Sequence, residues 1–86
     1  MADLDALDAR YEPAEAQYLA AIRQDRPRAE TAALAEAVAE AAAAHNAAAY
    51  ARLHAVAGDE RQQLDLLTER TEVLAELWAD VAAAYR

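Results

Sequence analysis

The chain contains no cysteine, no serine, no lysine and no phenylalanine. Without cysteine there is no disulfide, no thiolate nucleophile and no Cys-type zinc site, and cysteine usage says nothing of redox compartment. With serine also absent, the nucleophile candidates reduce to Thr31, Thr68 and Thr71, and none has an activating partner at a convincing spacing. Apart from two histidines, all side-chain basicity comes from arginine. Eight arginines against sixteen carboxylates leave a formal net charge of −8, which argues against a surface for nucleic-acid backbone or anionic lipid. No apolar run approaches membrane-spanning length. The first residues, Met1 to Asp5, carry acids where a signal peptide carries basic residues, so the expected location is the cytoplasm. At 86 residues there is room for one small domain, residues 1–86, whose core is marginal if it stands alone.

Glycine occurs once and proline twice, so the chain has few places to turn. What it has instead is alanine, about a third of all residues. Alanine and arginine without lysine is the composition of a GC-rich bacterial genome. The single glycine, Gly58, separates two stretches that both read as amphipathic helix, and Asp59 and Glu60 follow it as an N-cap and a first-turn acid. Gly58 is therefore expected in the left-handed position that ends one helix before the next begins. Three helices are predicted, over about residues 3–24, 28–57 and 59–86, with a break or kink at Pro13 and a boundary at Pro27. The break is favoured, because the residue before a proline is pushed out of the helical region.

The two long helices differ in pattern. On the second, Leu34, Val38, Ala42, His45, Ala49, Leu53 and Val56 form one stripe, and a neighbouring flank is almost pure alanine, from Ala33 to Ala55. Methyl-only flanks let backbones approach closely, so this helix is expected at the centre with neighbours on two sides. On the third, Leu67, Leu74 and Val81 alternate with Arg70, Leu77 and Ala84 in a heptad, widened by Leu66, Val73, Trp78 and Tyr85. Its opposite side carries Asp65, Glu69, Glu72, Glu76 and Asp80.

Folding the hairpin about Gly58 pairs residues whose numbers add to about 116, which brings Val38 to Trp78 and His45 to Arg70. Arg70 then lies in the apolar seam and needs a carboxylate, with Glu15 the first candidate and Asp8 the next. Glu15, His45 and Arg70 are read as a polar layer that fixes register or partner choice; a ligand pocket using them with Tyr18 and Trp78 is the competing reading. No catalytic, cofactor-binding or metal-ligating set is assigned. His45 and His54 lie on opposite faces of one helix, and the Glu69, Glu72, Glu76 ridge reads as a solvated face. The stretch from Tyr11 to Ile22, with Asp25 and Pro27 after it, looks like the second helix of a tetratricopeptide repeat. It covers less than a quarter of the chain and lacks the preceding Leu-Gly pair, so no family is assigned.

These observations predict an all-α protein: an antiparallel hairpin of two long helices with a shorter N-terminal helix laid across them. Apolar surface at Leu53, Val56, Leu64, Leu67, Leu74, Leu77 and Trp78 is expected to meet a partner, a second copy completing a four-helix bundle or another helical protein. The function expected is a non-enzymatic protein–protein interaction or oligomerisation module without cofactor. Two alternatives stand beside it. One is an acidic inhibitor or immunity-type protein, with a nucleic-acid mimic as one form of it, that blocks a basic site. The other is a small ligand-binding bundle built on His45 and Arg70.

Overall fold

The computed structural model describes residues 4–86, so Asp3, where the first helix is expected to begin, lies outside the described residues. Three helices follow one another: α1 (Leu4–Arg23), α2 (Arg28–Ala55) and α3 (Asp59–Ala83). The described residues contain no strand. The hairpin of two long helices with a shorter N-terminal helix is therefore the architecture.

Pro13 does not break the first helix. α1 runs unbroken from Leu4 to Arg23 with Pro13 inside it. Proline removes the N–H that would reach the Ala9 carbonyl, and both residues are exposed, so the freed carbonyl is open to solvent. Tyr11 and Glu15, on either side of Pro13, are tied together by a hydrogen bond that holds the turn in helical form.

The left-handed cap is also displaced, from Gly58 to the other turn. Arg26 N–H donates to the Ala21 carbonyl and Asp25 N–H to the Ile22 carbonyl, the paired bonds of a Schellman motif, with Asp25 at φ 54° in the place glycine usually takes. At the second turn α2 ends earlier than expected, at Ala55, and Val56 is extended. Gly58 has φ 76° and ψ −146°, a mirror-image extended conformation and not the left-handed helical one. It is the N-cap of α3, and Asp59 is its first helical residue; no side chain caps the helix.

Helix α2 is the central element. Both α1 and α3 pack along it, whereas among the described residues no Cα of α1 comes within 8 Å of a Cα of α3. Its inner stripe matches the expected one: Val38, Ala42, His45, Ala49 and Leu53 are buried, and Leu34 and Val56 half-buried. The hairpin register also holds, with Thr71 opposite Asn46 and Arg61 reaching the Leu53 carbonyl. Helices α1 and α3 run parallel on the same side of the core. They meet only through side chains, Tyr11 with Trp78 and Tyr18 with Tyr85, the same separation along the chain in both cases.

The seam of α3 is not the expected heptad. Its buried residues are Leu64, Thr68, Thr71, Trp78 and Ala82, so the line of contact has turned away from Arg70, Leu77 and Ala84, all of which are exposed. The cause is the alanine of α2. Ala35, Ala42 and Ala49 are 0–3 % exposed, and the small side chains of Thr68, Thr71 and Ala82 pack toward α2 beside Leu64 and Trp78. Threonine is acceptable there because its hydroxyl finds a partner: Thr68 donates to the Leu64 carbonyl at 2.6 Å, and Thr71 to the Thr68 carbonyl at 3.0 Å, also 3.0 Å from Asn46 Oδ1.

Candidate functional site

The side chains that join α1 to α3 form an aromatic ladder over α2. Trp78 Nε1–H donates to the Tyr11 hydroxyl at 2.8 Å, and that hydroxyl donates to Glu15 Oε2 at 2.6 Å. Burial, reinforced by the Glu15 carboxylate, pushes the Tyr11 hydroxyl up to about 12. One helical repeat further on, Tyr18 packs edge-on against Trp78 with centroids 5.3 Å apart, and its hydroxyl lies 2.8 Å from that of Tyr85. That hydrogen bond, helped by burial, raises Tyr18 to about 12. Arg28 closes the ladder, its guanidinium 5.1 Å from the Tyr85 ring centroid and its Nη2 donating to the Ala84 carbonyl. Sequence reasoning missed this ladder. Its signal was the matched seven-residue spacing of Tyr11 and Tyr18 on one helix and of Trp78 and Tyr85 on another.

Beside the ladder, where α1 and α3 part, lies a cleft of about 170 Å³. Asp8, Tyr11, Glu12 and Glu15 of α1 form one wall, Ala42 and His45 of α2 the floor, and Arg70, Thr71 and Leu74 of α3 the other wall. Glu15, His45 and Arg70 therefore share one cleft. They do not form a buried layer. His45 is buried, Glu15 half-buried and Arg70 exposed, and among the described residues Arg70 makes neither an ion pair nor a hydrogen bond. Glu15 accepts from Tyr11 instead, so the Glu15–Arg70 pair is absent. Arg70 stays in water because its sector of α3 faces outward, where no desolvation forces a partner on it. The cleft is smaller than the roughly 300–1,000 Å³ of typical small-molecule sites. Among the described residues no cluster of histidine and carboxylate side chains is arranged to hold a metal ion.

The expected apolar interface divides in two. Leu53, Leu64 and Trp78 are each 7 % exposed and belong to the interior, the two leucines because the hairpin tip closes on itself and Trp78 because Tyr11 and Tyr18 of α1 pack on it. Val56, Leu67 and Leu74 are half-buried, and of the expected residues only Leu77 stands open, at 50 % exposure. The most exposed large apolar side chains lie elsewhere on α3, Leu66 at 70 % and Val73 at 64 %, and Leu19 and Ile22 of α1 are exposed as well. Leu66, Arg70, Val73 and Leu77 follow at spacings of four, three and four, a single line along the helix. Leu66 and Val73 form an apolar shelf with Leu74, bordered by Glu69 on one side and meeting the cleft at Arg70. The two residues look like core in a heptad reading; what separates them from it is the sector they share with Arg70. No helix among the described residues is long and apolar enough to cross a membrane. The chain matches no protein-family model, and neither the curated proteins nor the solved structures contain a match to it.

Proposed function

We propose that the chain is a non-enzymatic helical protein–protein interaction module whose working surface is the outer line of α3. The observation that carries this reading is the contiguous exposure of Leu66, Val73 and Leu77 beside a shelf continuous with the core. Scattered exposed apolar side chains need no explanation, but two leucines and a valine on one helical line, next to the notch between α1 and α3, form a surface that a further helix covers. The small cleft at Arg70 is part of that notch, which ranks the ligand-binding alternative lower.

A photo-reactive benzoylphenylalanine placed at Leu66 or Val73 tests the reading in the cell the protein comes from. It is expected to give a protein adduct, whether with a second copy or with another chain, while the same probe at Ala43 or Ala47 on the exposed back of α2 gives none. No adduct at either stripe position, together with a monomer mass at tens of micromolar, refutes the module.

A further inference from the structure

We infer that the occupant of the α3 stripe is a cationic amphipathic helix of a different protein, and not a second copy of this chain. The inference rests on the interaction-module reading and names the partner for it. The stripe from Leu66 to Leu77 is about 16 Å long at 1.5 Å per residue, the span over which a docked helix places three or four apolar anchors. What lies on its two sides selects the partner.

On one side runs the ridge of Asp65, Glu69, Glu72, Glu76 and Asp80. On the other, across the notch, α1 presents Asp8 and Glu12. Apart from Glu72, which accepts from Tyr50, none of these carboxylates has an ion-pair or hydrogen-bond partner among the described residues. Arg70 is the one cation on the line. A helix lying on the stripe thus has carboxylates along both flanks, and arginine or lysine on both of its own flanks completes them.

A second copy meets the opposite situation. In an antiparallel two-fold pairing of stripes each ridge faces its own image. In a parallel two-fold pairing the ridge of one protomer faces Asp8 and Glu12 of the other. Either way carboxylate stands against carboxylate on both edges, between two chains that each carry −8.

The test uses the whole chain and a synthetic helical peptide of about 18 residues, with leucine at spacings of three and four and arginine on both flanks. A control peptide carries glutamate in place of the arginines. The arginine peptide is expected to bind with micromolar affinity, weakening about tenfold or more between low salt and about 300 mM NaCl. The glutamate peptide is expected not to bind. The triple variant Leu66→Ala, Val73→Ala, Leu77→Ala keeps every charge and should lose binding about tenfold or more; Glu69→Gln with Glu76→Gln should weaken it and flatten the salt dependence. Equal binding of the two peptides, undiminished binding to the triple variant, or no binding of either peptide overturns the inference. So does a dimer at tens of micromolar that the triple variant dissociates. That last result, or an adduct between two copies at Leu66, leaves the interaction module standing while removing its proposed partner.

Discussion

Tyr11 ties α1 to α3, since its hydroxyl accepts a hydrogen bond from Trp78 and donates one to Glu15, and it belongs to the same core cluster as Val38 and Ala42 of α2. Tyr11→Phe keeps the ring and leaves the buried Trp78 N–H without an acceptor. The expected loss is about 1–3 kcal/mol, read as a drop in melting temperature at roughly 4–8 °C per kcal/mol for a chain of this size. A melting temperature within a degree of wild type contradicts the bridge. The same hydroxyl sets an alkaline limit. In the folded chain Tyr11 and Tyr18 hold their protons up to about 12, whereas the unfolded chain releases them near 10. Their contribution is therefore complete below pH 10 and is lost as pH rises from 10 towards 12. Denaturant midpoints across that interval should fall for wild type and fall less steeply for Tyr11→Phe with Tyr18→Phe; parallel slopes contradict the assignment.

At the scale of the element, the two turns exchange the conformations that residue identity alone suggests. Aspartate occupies the left-handed position after α1, and glycine a mirror-image extended one before α3. Asp25→Gly should therefore stabilise, by about 1 kcal/mol, by removing the penalty on a Cβ in the left-handed region. Gly58→Ala should destabilise by about 1–3 kcal/mol through backbone strain alone, because a Cβ there meets no atom within 4 Å. D-alanine at position 58, introduced by chemical ligation, separates strain from crowding: mirrored, φ 76° and ψ −146° become the polyproline region, so it should be neutral or stabilising. Loss of stability with D-alanine contradicts this account. The hairpin itself was legible because proline, glycine and two long periodic runs agree on where helices stop. The central place of α2 was expected from its alanine flank, of which only the middle packs: Ala41 is buried and Ala44 and Ala48 are half-buried, while Ala33, Ala37, Ala51 and Ala55 are exposed. The helix through Pro13 was not legible, since whether a lost hydrogen bond breaks a helix depends on whether the freed carbonyl faces water. Nor was the outward turn of Arg70. A heptad reading asks where large apolar residues recur, while the line that packs on the alanines of α2 mixes small residues, Thr68, Thr71 and Ala82, with Leu64 and Trp78, which leaves Leu66, Val73 and Arg70 on the outside.

For the whole molecule, an elongated body of 48 × 20 × 19 Å, the balance of charge decides how stability answers to salt. Among the described residues attraction comes from the ion pairs Arg26–Glu30, Arg52–Glu60 and Arg86–Glu36, all with side chains at least 42 % exposed. Exposed pairs of this kind contribute little, because water and salt screen them. Repulsion comes from the ridge of α3, where Asp65 and Glu69, Glu69 and Glu72, Glu72 and Glu76, and Glu76 and Asp80 are each three or four residues apart. Such neighbours cost about 0.2–0.5 kcal/mol each. To these are added Asp8, Glu12 and Glu15 on α1 and the self-repulsion of an overall charge of −8. Salt screens both sets, but repulsion has more members and longer reach, so raising NaCl from about 10 mM to about 300 mM should increase the melting temperature by a few degrees. Neutralising the ridge with Glu69→Gln and Glu76→Gln should raise the melting temperature at low salt and shrink its salt dependence. A melting temperature that falls with salt would place the net electrostatic term on the side of those ion pairs. It would leave the charge argument against self-association in place, since the paired carboxylates Glu30, Glu36 and Glu60 are not those that flank the stripe.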